Sequence, residues 1–135
     1  MKHLIELDRD RQIAIVRYKG EVRVDHAPDI IRSIVRNSDW TPRYSRIIDY
    51  SSGLLGEMDF TELNRIKSEL VALIAQYYKG HPHYTAHLCH DPTKAPIVDY
   101  WVSAASGTGR YPAGQARFNT EAEAIHWIEK MRAAE

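Results

Sequence analysis

Four of the chain's seven histidines, His81, His83, His87 and His90, fall within ten residues, with Cys89 and Asp91 beside them. Imidazole, thiolate and carboxylate are the side chains that ligate transition metals, so the first chemistry to weigh is metal binding. Strand geometry weakens it. If Tyr84 to His90 is extended, His87 and Cys89 share one face while His90 points to the other, so at most two of the strand's candidates converge. A complete site would need distant partners such as His26 or Asp49. The plainer reading is a set of loop histidines beside a buried cysteine, with no metal or other cofactor expected and with His87, Cys89 and His90 as weak metal candidates.

The aromatic residues suggest a different chemistry. Tyr77 and Tyr78 close a long apolar-periodic segment, Tyr100 and Trp101 lie on the next, and Tyr111 sits in a glycine-rich loop. Tyrosine and tryptophan combine an apolar body with a polar handle, which suits both ligand pockets and protein interfaces. The same spacing is also what packing against a sheet demands. The loop Gly107-Thr108-Gly109-Arg110-Tyr111-Pro112-Ala113-Gly114 imitates a phosphate binder, but it follows a helix pattern and precedes a strand, the reverse of both phosphate-loop signatures. There is no Gly-x-Ser-x-Gly elbow and no His-Glu-x-x-His, and the one cysteine falls in an apolar strand, where thiols are usually inert. Binding is expected, not catalysis.

The elements that position these residues follow from periodicity. His3 to Leu7 and Gln12 to Tyr18 read as two strands joined by the charged turn Asp8-Arg9-Asp10-Arg11. Asp25-His26-Ala27-Pro28-Asp29 supplies capping side chains and a first-turn proline, and Ile30, Ile31, Ile34 and Val35 then share one helical face. Ser45 to Ser51 forms a third strand, which Ser51-Ser52-Gly53 breaks. Phe60, Leu63, Ile66, Leu70, Leu73, Ile74 and Tyr77 recur at the spacing of a helix lying on a sheet, with Asp59 and Glu62 spaced as a capping box. Tyr84 to His90 is a strand, and Ile97, Val98, Trp101, Val102 and Ala105 mark a helix. Gln115 to Asn119 is a last strand, and Thr120-Glu121-Ala122-Glu123 opens a final helix. Strands alternating with helices imply crossovers, so the expected fold is a single α/β domain over residues 1–135, with a mixed, mostly parallel sheet, an N-terminal antiparallel hairpin and four helices.

Composition agrees. Of 135 residues, 44% are hydrophobic and 27% charged, the balance of a globular chain and not of a disordered or coiled-coil one. Eighteen Lys and Arg offset eighteen Asp and Glu, so no global charge invites nucleic acid. One cysteine excludes an internal disulfide framework, and no apolar run is long enough to span a membrane. A cytoplasmic setting is expected.

The element order resembles the STAS-like fold of anti-sigma-factor antagonists, and most closely the SpoIIAA-like (STAS/SEC14-type) bacterial proteins. Two motifs carry the resemblance: the closing Ala116-Arg117-Phe118-Asn119-Thr120-Glu121-Ala122-Glu123-Ala124-Ile125-His126-Trp127-Ile128, and the strand Arg46-Ile47-Ile48-Asp49-Tyr50-Ser51 feeding a loop and a long helix. In the antagonists a phosphorylatable serine opens the helix after the third strand, in an Asp-Ser-Ser-Gly-Leu context. The matching stretch here is Met58-Asp59-Phe60-Thr61-Glu62-Leu63, where Thr61 keeps a hydroxyl but Phe60 and Glu62 depart from the pattern. The resemblance thus implies a non-catalytic regulatory domain that recognises a protein partner around Asp59 and Thr61. Its SEC14 side implies instead a small amphipathic or lipid-like ligand held by Tyr77, Tyr100, Trp101 and Tyr111. A homodimer is compatible with either. A cleft lined with aromatics would favour the ligand; a sealed core beside an exposed apolar patch would favour the protein partner.

Overall fold

The computed structural model describes residues 2–55, 60–106 and 113–135. Strands β1 (Lys2–Asp8) and β2 (Ile13–Val22) form the expected hairpin, paired antiparallel from Lys2↔Lys19 to Asp8↔Ile13. Its turn is held by the Asp8 carboxylate, which accepts from the Arg11 backbone N–H at 3.1 Å and from the Arg11 guanidinium at 3.0 Å, while Gln12 takes the left-handed conformation at φ 54°. Helix α1 (Ala27–Val35) follows, with Pro28 in its first turn. One expectation fails at its start: the cap residue is His26 and makes no side-chain capping bond. Asp25 is held instead by Arg23, whose Nε and Nη2 donate to the carboxylate at 3.1 and 3.0 Å.

The rest alternates as β3 (Ser45–Asp49), β4 (Gly53–Leu55), α2 (Phe60–Tyr78), β5 (His83–Leu88), α3 (Ala95–Ser106), β6 (Ala113–Phe118) and α4 (Glu121–Ala133). The sheet order is β1-β2-β3-β5-β6, every pairing after the hairpin being parallel. The fold is therefore α/β with a mixed sheet and four helices among the described residues. Strand β4 departs from the expected break at Ser51-Ser52-Gly53: after a turn the chain pairs again, parallel to the end of β2, with Gly20↔Gly53 and Val22↔Leu55. The approach is close, since a Cβ on Gly53 would lie 2.6 Å from Val22 Cγ2. The capping box at Thr120 forms as expected, its hydroxyl oxygen accepting from the Glu123 N–H at 3.2 Å and its O–H donating to the Glu123 carboxylate at 3.0 Å.

Strand alternation sorts the sheet into two faces. On one, Ile13, Ile15, Ile47, Ala86 and Leu88 pack with Ala124 and Ile128 of α4. Arg132 fastens that helix to the opposite end of the chain, donating to the Gln12 carbonyl at 2.6 Å and the Arg43 carbonyl at 3.3 Å. On the other face, Ala14, Val16 and Ile48 pack with Ile30 and Ile34 of α1 and Val98 of α3. Helix α2 lies beside α1, tied by Arg32 to Glu69 at 2.6 Å. Among the described residues, no helix is long and apolar enough to cross a membrane.

Candidate functional site

The second face carries more polar groups than a core requires. Register aligns Ala14, Arg46, Thr85 and Gln115 in one row across four strands, and Val16, Ile48, His87 and Arg117 in the next. Just beyond β3, Tyr50 is held by its N–H donating to the Leu88 carbonyl at 3.0 Å. Its ring lies between Tyr18 and His87, with centroids 5.5 and 5.8 Å away and near-parallel planes.

Hydrogen bonding fixes the state of this stack. His87 is buried, and the loss of water, together with the nearby Arg46 charge and against its bond to Gln115, lowers its pKa to about 4, so it is neutral near pH 7. Burial raises the Tyr50 pKa well above its ordinary value, so its hydroxyl keeps its proton. The Tyr50 O–H therefore donates to His87 Nδ1 at 2.9 Å, and His87 Nε2–H donates to Gln115 Oε1, also at 2.9 Å. Both ring nitrogens are engaged.

Arg46 stands in contrast. It is only 7% exposed, its Nη2 donates to Thr85 Oγ1 at 2.9 Å, and its guanidinium lies 5.5 Å from the centre of the Tyr78 ring. Its Nε is buried without a hydrogen-bond partner, and no carboxylate among the described residues pairs with it. Burying a cation without a counter-charge costs several kcal/mol. A neutral side chain would fill the same strand position without that penalty.

Over this face lies a cavity of about 100 Å³. Its floor is the sheet, with Tyr18, Arg46, Tyr50, Thr85, His87 and Gln115. Its walls are apolar: Ile30 and Ile31 of α1, Leu70 and Ile74 of α2, and Ile97 and Trp101 of α3. Arg23 also borders it, but Asp25 neutralises that charge.

The residues singled out from sequence fall in different places. Trp101 lines the cavity. Tyr100 is 44% exposed, Tyr77 is half-buried and borders no part of the cavity, and Tyr111 lies outside the described residues. The buried aromatic at the end of α2 is Tyr78, which stacks on His83 with centroids 4.0 Å apart. Thr61 is exposed on the first turn of α2, beside Glu62, which pairs with Arg65 at 2.6 Å; Asp59 lies outside the described residues. Of the metal candidates, His87 belongs to the stack, Cys89 is buried with its thiol pKa raised by desolvation, and His90 is exposed. Among the described residues, no three His, Cys, Asp or Glu side chains are grouped to hold a metal.

Sequence reasoning passed over Arg46, Tyr18, Tyr50, Thr85 and Gln115 as site residues. One signal was present: Arg46 is a charge beside the apolar pair Ile47-Ile48, on the same face as Ile48 and Tyr50.

No family model matches the chain, and no curated protein does. Among solved structures it is similar to the anti-sigma factor antagonist SpoIIAA in its unphosphorylated form, with 19% identity, a TM-score of 0.48, and coverage of 95% of this chain and 98% of that one. It is also similar to an anti-sigma factor antagonist from Mycobacterium paratuberculosis, with 18% identity, a TM-score of 0.47, and coverage of 95% and 93%. A third is the Bacillus cell fate determinant SpoIIAA in its phosphorylated form, with 20% identity, a TM-score of 0.46, and coverage of 94% and 99%. At this identity and TM-score, no residue's role is transferred from them.

Proposed function

We propose that the protein is a non-catalytic binding domain that holds a small amphipathic ligand between the sheet and helices α1, α2 and α3. The observation that carries this reading is the two-sided cavity, with polar side chains on the sheet and apolar ones on the helices. Such pairing of apolar walls with a few convergent polar groups is the general form of a small-molecule site. Binding is favoured over catalysis because both nitrogens of His87 are occupied and burial holds the Tyr18 and Tyr50 hydroxyls in their protonated form. The large hydrophobic side chains exposed among the described residues, Leu4 on β1 and Tyr100 on α3, lie on separate elements and do not argue for a broad apolar docking patch. Native mass spectrometry of the protein purified from its own host should show a mass excess that disappears on denaturation. A bare chain mass at every protein concentration would remove this reading.

A second reading rests on a separate observation, the exposure of Thr61 on the first turn of α2. Around Asp59 and Thr61 a protein partner would meet a surface whose charge a phosphate could change, and the helix N-terminus would stabilise that phosphate. Thr61→Glu is then expected to alter capture of a specific partner in a pull-down while leaving the melting temperature unchanged. Equal recovery of every partner by both forms counts against it.

A further inference from the structure

We propose that Arg46 is the receptor for the head group of this ligand, and that the ligand is a small amphiphile ending in a carboxylate, its apolar part lying against α1, α2 and α3. The proposal rests on reading the cavity as a ligand site and adds the chemistry of the occupant.

The argument starts from the position of the charge. Arg46 sits in β3, in the interior of the sheet, between β2 and β5, with Ala14 and Thr85 as its register neighbours. It borders the cavity, is more than nine-tenths buried, and keeps a buried Nε–H without an acceptor. The chain satisfies its other buried or half-buried arginines differently. Arg17 pairs with Asp49 and Glu121, both at 3.0 Å, Arg32 with Glu69 at 2.6 Å, and Arg132 with backbone carbonyls. Arg46 has the Thr85 hydroxyl and the Tyr78 ring, neither of which carries a compensating charge. An anion from outside the chain would supply the missing partner.

The class of anion follows from what surrounds it. Arg23 is already neutralised by Asp25 and His87 is neutral, so the cavity offers one uncommitted positive charge among the described residues. One planar, delocalised cation matches one planar carboxylate in shape and charge. A phosphate dianion would call for more positive charge than the cavity holds. Both Ile30 and Ile31, with Leu70, Ile74, Ile97 and Trp101, present apolar surface that a free inorganic anion would leave unused. Head group and tail therefore belong to one molecule.

Isothermal titration of the full chain, stripped of bound molecules, with hexanoate, 1-hexanol and inorganic phosphate tests this. Hexanoate should bind at least about tenfold more tightly than 1-hexanol, the size of one charge-assisted hydrogen bond. Arg46→Met should abolish that preference, and without ligand it should melt no lower than the parent, because it removes an unpaired buried charge. Arg46→Lys should keep the preference for the acid, which covers the case in which Arg46→Met does not fold. Equal binding of hexanoate and 1-hexanol overturns the head-group assignment while leaving the cavity as a ligand site. Phosphate binding as tightly as hexanoate overturns the amphiphile in favour of a free anion. Binding of no probe overturns the proposal, and the ligand reading falls with it only if the native mass also shows a bare chain.

Discussion

Lowering the pH from 6.5 towards 4 should destabilise the protein steeply, before most carboxylates titrate. Two buried histidines cause this. Burial, reinforced by the Arg46 charge, lowers the pKa of His83 to about 4, and burial and the same charge do so for His87. In the unfolded chain each would titrate near 6.5, so between these values the unfolded state binds protons that the folded state does not. Stability is therefore complete above pH 6.5 and is lost as pH falls to about 4, at up to about 1.4 kcal/mol per pH unit for each histidine. Urea denaturation at pH 7, 6 and 5 measures it. His87→Gln keeps an acceptor for Tyr50 and a donor for Gln115 and should flatten the slope by about half. A slope that stays the same would show that protonation elsewhere controls acid unfolding. Asp49 acts in the same direction at lower pH: although burial opposes it, hydrogen bonds from Ser51 and Arg17 hold its pKa below the ordinary value, so its contribution is lost only as pH falls through that lowered pKa.

Ile47→Ala should be the most damaging single truncation on the α4 face, lowering stability by about 2 to 5 kcal/mol. Ile47 is fully buried in β3, aligned between Ile15 and Ala86, and packs in the cluster that contains Ile128. The sheet backbone on both sides resists collapse into the space left behind, which puts the expected loss near the upper part of that range. Ile47→Val should cost about 0.5 to 1.5 kcal/mol. Because the side chain faces away from the cavity, hexanoate affinity of whatever fraction remains folded should be unchanged. Denaturation midpoints report the first effect and titration the second; a loss below that of the valine variant would show that the sheet closes around the site.

The fold was largely legible because its signals are local. Apolar spacing in Ile30, Ile31 and Ile34, the capping box at Thr120 and the charged turn after Asp8 each act over a few residues, and each forms in the structure. The misreadings turned on which of several partners a residue takes, one of them near in sequence and one far away. Asp25 serves Arg23 instead of capping α1, and Gly53 re-enters the sheet because the distant Gly20 to Val22 stretch is there to receive it. The stripe on α2 pointed to Tyr77, yet Tyr78 is the buried ring because His83 and Trp40 offer it partners, with centroids 4.0 and 5.4 Å away. The cavity was the least legible part. Tyr18, His87 and Gln115 come from β2, β5 and β6, and Arg46 and Tyr50 from β3 and the residue just after it, so only the parallel register brings them together. In sequence, the cluster read as loop histidines with His87 a weak metal candidate, while His83 and His87 are buried in β5 and His87 is a neutral link between a tyrosine and a glutamine.

The placement of α4 bears on how the protein emerges during synthesis. Ile13, Ile15 and Ile47 are made early, whereas Ala124 and Ile128, which pack against them, lie about eighty residues beyond Ile47. Among the described residues no other helix packs in that cluster. A ribosome-bound chain of this protein that has completed β3 and β5 thus presents a bare isoleucine surface until α4 has left the exit tunnel and Arg132 can reach the Gln12 carbonyl. Nascent chains stalled before that point should be the species that chaperones hold.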